Sequence, residues 1–204
     1  MKKYLFFAAS ALALASCSSD DFVGDNSGNL QSATTTINFG GETGKTTRAN
    51  QTGEAAANAL QKKFVVYGYK QGSDAPVFDH YTISWNGYKG QTESNTQGWE
   101  YVGGTPNTSL SNLTAPQTIK YWDYSASQYD FIAFSFGKAT QGDGTGTNDV
   151  IATQVTKTPS YTLKGNVQDL AECFIADRVT AKRDITEKKA NKLVGYKDDV
   201  QFNF

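Results

Sequence analysis

The stretch YDFIAFSF at residues 129–136 decides how this chain folds. Successive side chains of an extended strand point to opposite faces. Here both faces are largely apolar, which places the segment in the middle of a sheet covered on both sides. Phe131 and Phe134 are both expected in the core. Outward from this segment, the chain reads as short extended pieces divided by turns. FVVYGY at 64–69 is a continuous apolar run of strand length, bounded by Gly and polar residues. YTISW at 81–85 alternates, with Tyr81, Ile83 and Trp85 on one face and Thr82 and Ser84 on the other. Asn86–Gly87 follows it as a turn signal.

The remaining pieces fit the same pattern. TTTINF at 34–39 is β-branched and partly alternating, and reads as a strand ended by Gly40 and Gly41. Residues 43–53 are loop-like. Residues 99–102 form a short strand before Gly103 and Gly104, and IKYWDY at 119–124 leads into the central segment. Residues 150–157 and 160–163 are candidate strands split by Pro159, which favours an edge or a break. VQFNF closes the chain, with Val200, Phe202 and Phe204 alternating with polar residues. Helical turns are expected at the Ala-rich 54–63 and the charged 184–192. Many short strands with no αβ alternation predict an all-β fold, an antiparallel β-sandwich with short helical turns.

The first residues carry a different message. Lys2 and Lys3 precede an apolar stretch from Tyr4 to Ala15, which fits a secretory signal. It is too short for a hydrocarbon core of ~30 Å, which needs about 20 apolar residues. It closes on LASC, and a cysteine directly after small residues resembles the lipobox of bacterial lipoproteins. In that reading Cys17 is diacylated through its thiol and becomes the mature N-terminus. Cleavage there removes 16 residues and leaves 188 of the 204, with 17 basic residues against 20 acidic. That balance offers no basic patch for nucleic acid. Residues 17–33 are polar and small, a flexible tether. Residues 34–204 are read as one domain of a size that buries a core without staples. Asp20 and Asp21 resemble the surface-export signal of Bacteroidetes lipoproteins. Cys173 would be the one thiol left, so no intramolecular disulfide is expected, and its apolar neighbours predict burial.

Catalytic and ligand constellations are sparse. The single histidine, His80, has no GxSxG-type partner motif and reads as a surface or capping residue. Asp79, Asp123 and Asp130 lie beside aromatics, but sequence spacing does not bring a glycosidase pair within ~5–10 Å. GDGTGTND at 142–149 is rich in oxygen ligands yet lacks the EF-hand order. GETGKTT at 41–47 lacks the spacing of a phosphate loop. No cofactor, metal or catalytic residue is expected. Trp85, Trp99 and Trp122 could stack on sugars if exposed and coplanar, which defines the alternative reading, a surface glycan-binding lipoprotein of a polysaccharide-utilisation system. Packed tryptophans would count against it.

Several pieces in order resemble the fimbrillin-like (Mfa-like) lipoproteins of Bacteroidetes, the subunits of type V pili. These are LASC, INFGG at 37–41, TTRA at 46–49, FVVYGY, KYWDYS at 120–125, YDFIAFSF and VQFNF. The resemblance implies a transthyretin-like sandwich, normally followed by a second such domain, so this chain would be the N-terminal part of a longer architecture or a truncated product. It also implies placement on the outer membrane and in fimbriae, with other pilus subunits and a host or bacterial surface receptor as partners. In pilin members an arginine-directed protease removes the first strand, and a strand of another subunit fills the groove by β-augmentation. Carried onto this chain, cleavage falls between Arg48 and Ala49, in an accessible loop. The removable strand contains Thr34, Ile37 and Phe39.

Overall fold

The computed structural model describes residues 36–43, 51–87, 92–95, 97–102, 117–142, 150–155, 160–184, 188–189, 192–193, 195–196 and 199–204. The first half contributes β1 (Phe39–Glu42), α1 (Gly53–Ala59), β2 (Lys63–Lys70), β3 (Pro76–Trp85), β4 (Trp99–Glu100) and β5 (Gln128–Ser135). The second half contributes β6 (Ile151–Val155), β7 (Ser160–Lys164), α2 (Val167–Leu170), β8 (Phe174–Ile175) and β9 (Val179–Lys182). Two dipeptide strands, β10 (Lys188–Lys189) and β11 (Lys192–Leu193), precede β12 (Val200–Asn203).

The main sheet runs β4-β3-β2-β5, with β8 and β9 both pairing the far side of β5, and every pair in it is antiparallel. β5 is central, as its two apolar faces require. Val65 pairs with Phe134 and Gly68 with Phe131 across the β2–β5 ladder. On the inner face Phe64, Val66, Phe78, Ile83, Tyr129, Phe131 and Ala133 join one core with Ile37, Phe39, Val200, Phe202 and Phe204. On the outer face Val65, Tyr67, Ile132 and Phe134 form a second cluster, against which Ala152 of β6 and Leu163 of β7 pack. Burial of both Phe131 and Phe134 follows from this arrangement. The chain is an all-β sandwich.

The inner face is closed by a two-stranded pair, β1 with β12, and this pair is parallel. That departs from the expectation of a wholly antiparallel fold. The first strand also sits further along than TTTINF. Gly40 and Gly41 do not end it but lie inside it, while Thr36 makes an isolated bridge to Tyr121. Ile37, Phe39 and Gly41 take the inward positions, and the missing side chain at Gly41 lets aromatic rings close over the backbone.

Other expectations are corrected. IKYWDY is not a strand beyond the bridge at Tyr121. The two strands expected on either side of Pro159 are present, as β6 and β7, and pair antiparallel from Ile151↔Lys164 to Val155↔Ser160; Pro159 itself lies outside the described residues. The charged segment expected as a helical turn instead holds β10 and β11, paired with each other. Its Lys188↔Leu193 ladder satisfies backbone groups that a short isolated helix would leave open. The α2 turn was not anticipated; Asn166 caps it by accepting the Asp169 amide at 2.8 Å.

Candidate functional site

The candidate site is the seat of β1. Its register places Phe39 beside Val200, Gly41 beside Phe202 and Glu42 beside Asn203. The amide of Val200 donates to the Asn38 carbonyl and that of Phe204 to the Glu42 carbonyl, both at 2.8 Å. On the other side the Ile37 amide donates to the Lys120 carbonyl at 2.8 Å. β1 is thus held between β12 and the segment around Lys120. Phe39 is at the centre of an aromatic cluster. It meets Phe78 edge-on at 4.9 Å, Tyr101 and Phe131 edge-on at 5.8 Å, and Phe202 stacked at 5.9 Å. Such geometries suit the ring quadrupoles.

At Gly41 the strand lies against packed aromatic rings rather than a flexible side-chain end. A Cβ there would come within 3.2 Å of both Phe204 and Phe64 and 3.6 Å of Trp99. Phe64 and Trp99 are themselves edge-packed at 4.7 Å and almost wholly buried. Gly40, one residue earlier, meets only the amide end of Gln201, whose side chain is exposed and mobile in its torsions.

Tyr101 is the residue of this seat that sequence reading missed. Its hydroxyl donates to the Ile37 carbonyl at 2.9 Å and accepts the Lys120 amide at 3.1 Å. Burial pushes its phenol well above the ordinary tyrosine range. The Gln117 amide group fixes Tyr101 in turn. It donates to the Tyr101 carbonyl at 2.7 Å and to the Thr82 carbonyl at 2.9 Å, and accepts the Thr82 amide at 2.6 Å. A side chain therefore satisfies the backbone of β3 at Thr82. The alternation of Trp99 and Tyr101 was the available signal.

Just beyond β1, Thr43 and Gln51 bridge each other. The Thr43 amide donates to the Gln51 carbonyl at 3.1 Å, and the reverse bond is 2.8 Å. Residues 44–50, with Arg48, connect these two positions. Cys17, Thr34, Arg48 and Ala49 lie outside the described residues, as do most of the 142–149 and 41–47 loops.

The other candidate residues do not converge. His80 is fully buried, which corrects its reading as a surface residue. It occupies a left-handed backbone position at φ 41, at an irregularity of the β2–β3 ladder, and its Nδ1 lies 2.8 Å from Asp79. Its Nε2 is buried without a hydrogen-bond partner. Asp123 pairs with Lys70 at 3.3 Å, and Asp130 accepts from Thr180 at 2.6 Å. Burial works against the charge of Asp123, but bonds from Ser125 and Lys70 outweigh it and hold the carboxyl below its usual range. No group of three metal-ligating side chains forms among the described residues.

Trp99 and Trp122 are buried, Trp122 stacked on Tyr196 at 4.2 Å, and Trp85 packs edge-on to Trp99 at 5.3 Å. They present no shared exposed platform for a sugar. Cys173 is half-buried rather than enclosed; its Sγ donates to the Asp169 carbonyl at 3.5 Å, and burial raises its thiol. No helix of the described residues is long and apolar enough to cross a membrane. No family model, no curated protein and no solved structure matches the chain.

Proposed function

We propose that this chain is an exported, lipidated surface protein that serves as a fimbrillin-like subunit of a pilus or adhesive fibre. Cys17 anchors it to the outer membrane, and its partners are further subunits joined by strand exchange. One observation carries this reading. The first strand fills the centre of the aromatic core, yet it is laddered to β12 and meets the main sheet through side chains.

Its energetics suit a removable part. Ile37 and Phe39 are both almost fully buried, a gain of roughly 1.5–3 kcal/mol each. Against a typical domain stability of about 5–15 kcal/mol, the loss of β1 is large. It would open backbone groups of β12, the Lys120 carbonyl and the space under Phe78, Tyr101 and Phe131. A strand supplied by another subunit satisfies all of these at once.

Arg48 lies a few residues beyond β1, so cutting there detaches the strand from everything that follows. The Thr43–Gln51 bonds then retain it until a competing strand displaces it. The experiment is Arg48→Ala. The variant is expected to reach the surface and fold but to remain unpolymerised, while fibres of normal abundance would refute the reading.

A further inference from the structure

The seat of β1 reads sequence, not just hydrophobicity. We infer that it selects a strand from a second molecule that runs parallel to β12, carries a large aliphatic and then an aromatic residue two positions apart, and has glycine two positions further on. This rests on the strand-exchange reading above and names what that exchange accepts.

Three features impose the pattern. Ile37 and Phe39 fill enclosed positions, and the Phe39 ring touches four aromatic neighbours. The third inward position faces Phe64 and Phe204 at 3.2 Å and Trp99 at 3.6 Å from a Cβ, so a branched side chain would have to push these rings back. Those rings cannot retreat freely, because Phe64 also packs against Phe202 at 5.8 Å and Phe204 at 5.2 Å. Close-packed interiors pass such strain on rather than absorb it. Gly41 carries no positive φ, so its role is clearance and not backbone conformation. The neighbouring Gly40 is the internal contrast. A side chain there would push aside only the exposed end of Gln201. Position 41 is therefore the specificity-determining position, and position 40 is permissive.

The test uses the full chain with a recognition site for a sequence-specific protease inserted within residues 44–50. The folded protein is nicked and incubated with fluorescent peptides spanning residues 34–43, and label retained on the chain is measured after size exclusion. The parent peptide is expected to exchange in. Gly41→Val and Phe39→Ala peptides should be retained at least about tenfold less well, while Gly40→Val stays within about threefold of the parent. If the parent peptide does not enter, the strand-exchange reading falls and the selectivity with it. If the parent and all variants enter alike, or Gly40→Val fails as badly as Gly41→Val, exchange survives and the selectivity is overturned.

Discussion

The hydroxyl of Tyr101 donates a hydrogen bond to the backbone carbonyl of Ile37, 64 residues away in sequence, at 2.9 Å. The same oxygen accepts the Lys120 amide, so one buried phenol fixes the entry of the first strand. Tyr101→Phe keeps the ring and removes both hydrogen bonds. Such a loss costs about 1–3 kcal/mol. Urea unfolding should show it, and hydrogen exchange should rise at Phe39 and Gly41 more than in β5. Equal protection of β1 in both proteins would contradict the clamp.

The two faces of β5 make a second prediction. Phe131 and Phe134 are each fully buried, on opposite sides of the sheet. Each Phe→Ala change should cost ~3–5 kcal/mol. A loss under about 1 kcal/mol at either position would contradict a sheet covered on both sides.

The sequence carried the central strand well, because a doubly apolar run of eight residues has one place to go. It also carried β2, the Tyr81–Trp85 part of β3, and the alternating Val200, Phe202 and Phe204. It did not carry the parallel pairing of β1 with β12, which depends on contacts between the two ends of the chain. The Gly40–Gly41 pair read as a stop because glycine commonly ends strands; only the three-dimensional crowding of Phe64, Trp99 and Phe204 explains a glycine inside one. His80 looked superficial because its polar neighbours say nothing of the ladder irregularity that turns it inward. Lys-rich residues 184–192 read as helix from charge alone, whereas Lys188–Lys189 pair antiparallel with Lys192–Leu193.

Alkaline conditions should weaken the fold. Burial raises the Tyr196 phenol from 10.0 to about 12, with its hydroxyl donating to the Ala126 carbonyl at 2.7 Å. In the unfolded chain this group ionises near pH 10, while in the folded chain it holds its proton to about pH 12. Its contribution is complete below pH 10 and is lost as the pH rises toward 12. Tyr67 and Tyr101 are raised in the same direction. The urea midpoint should therefore fall between pH 9.5 and 11.5, and fall less in Tyr196→Phe. A midpoint independent of pH there would contradict burial of these phenols.

The anchor is tested separately. Cys17→Ala removes the thiol required for lipidation, and the protein should leave the membrane fraction. Unchanged membrane fractionation would count against Cys17 as the site of attachment.

The most direct test of strand exchange is the N-terminus of subunits taken from assembled fibres, read by intact mass and N-terminal sequencing. The account predicts a chain beginning at Ala49, without β1. Assembled subunits that still begin at a lipidated Cys17 would contradict it.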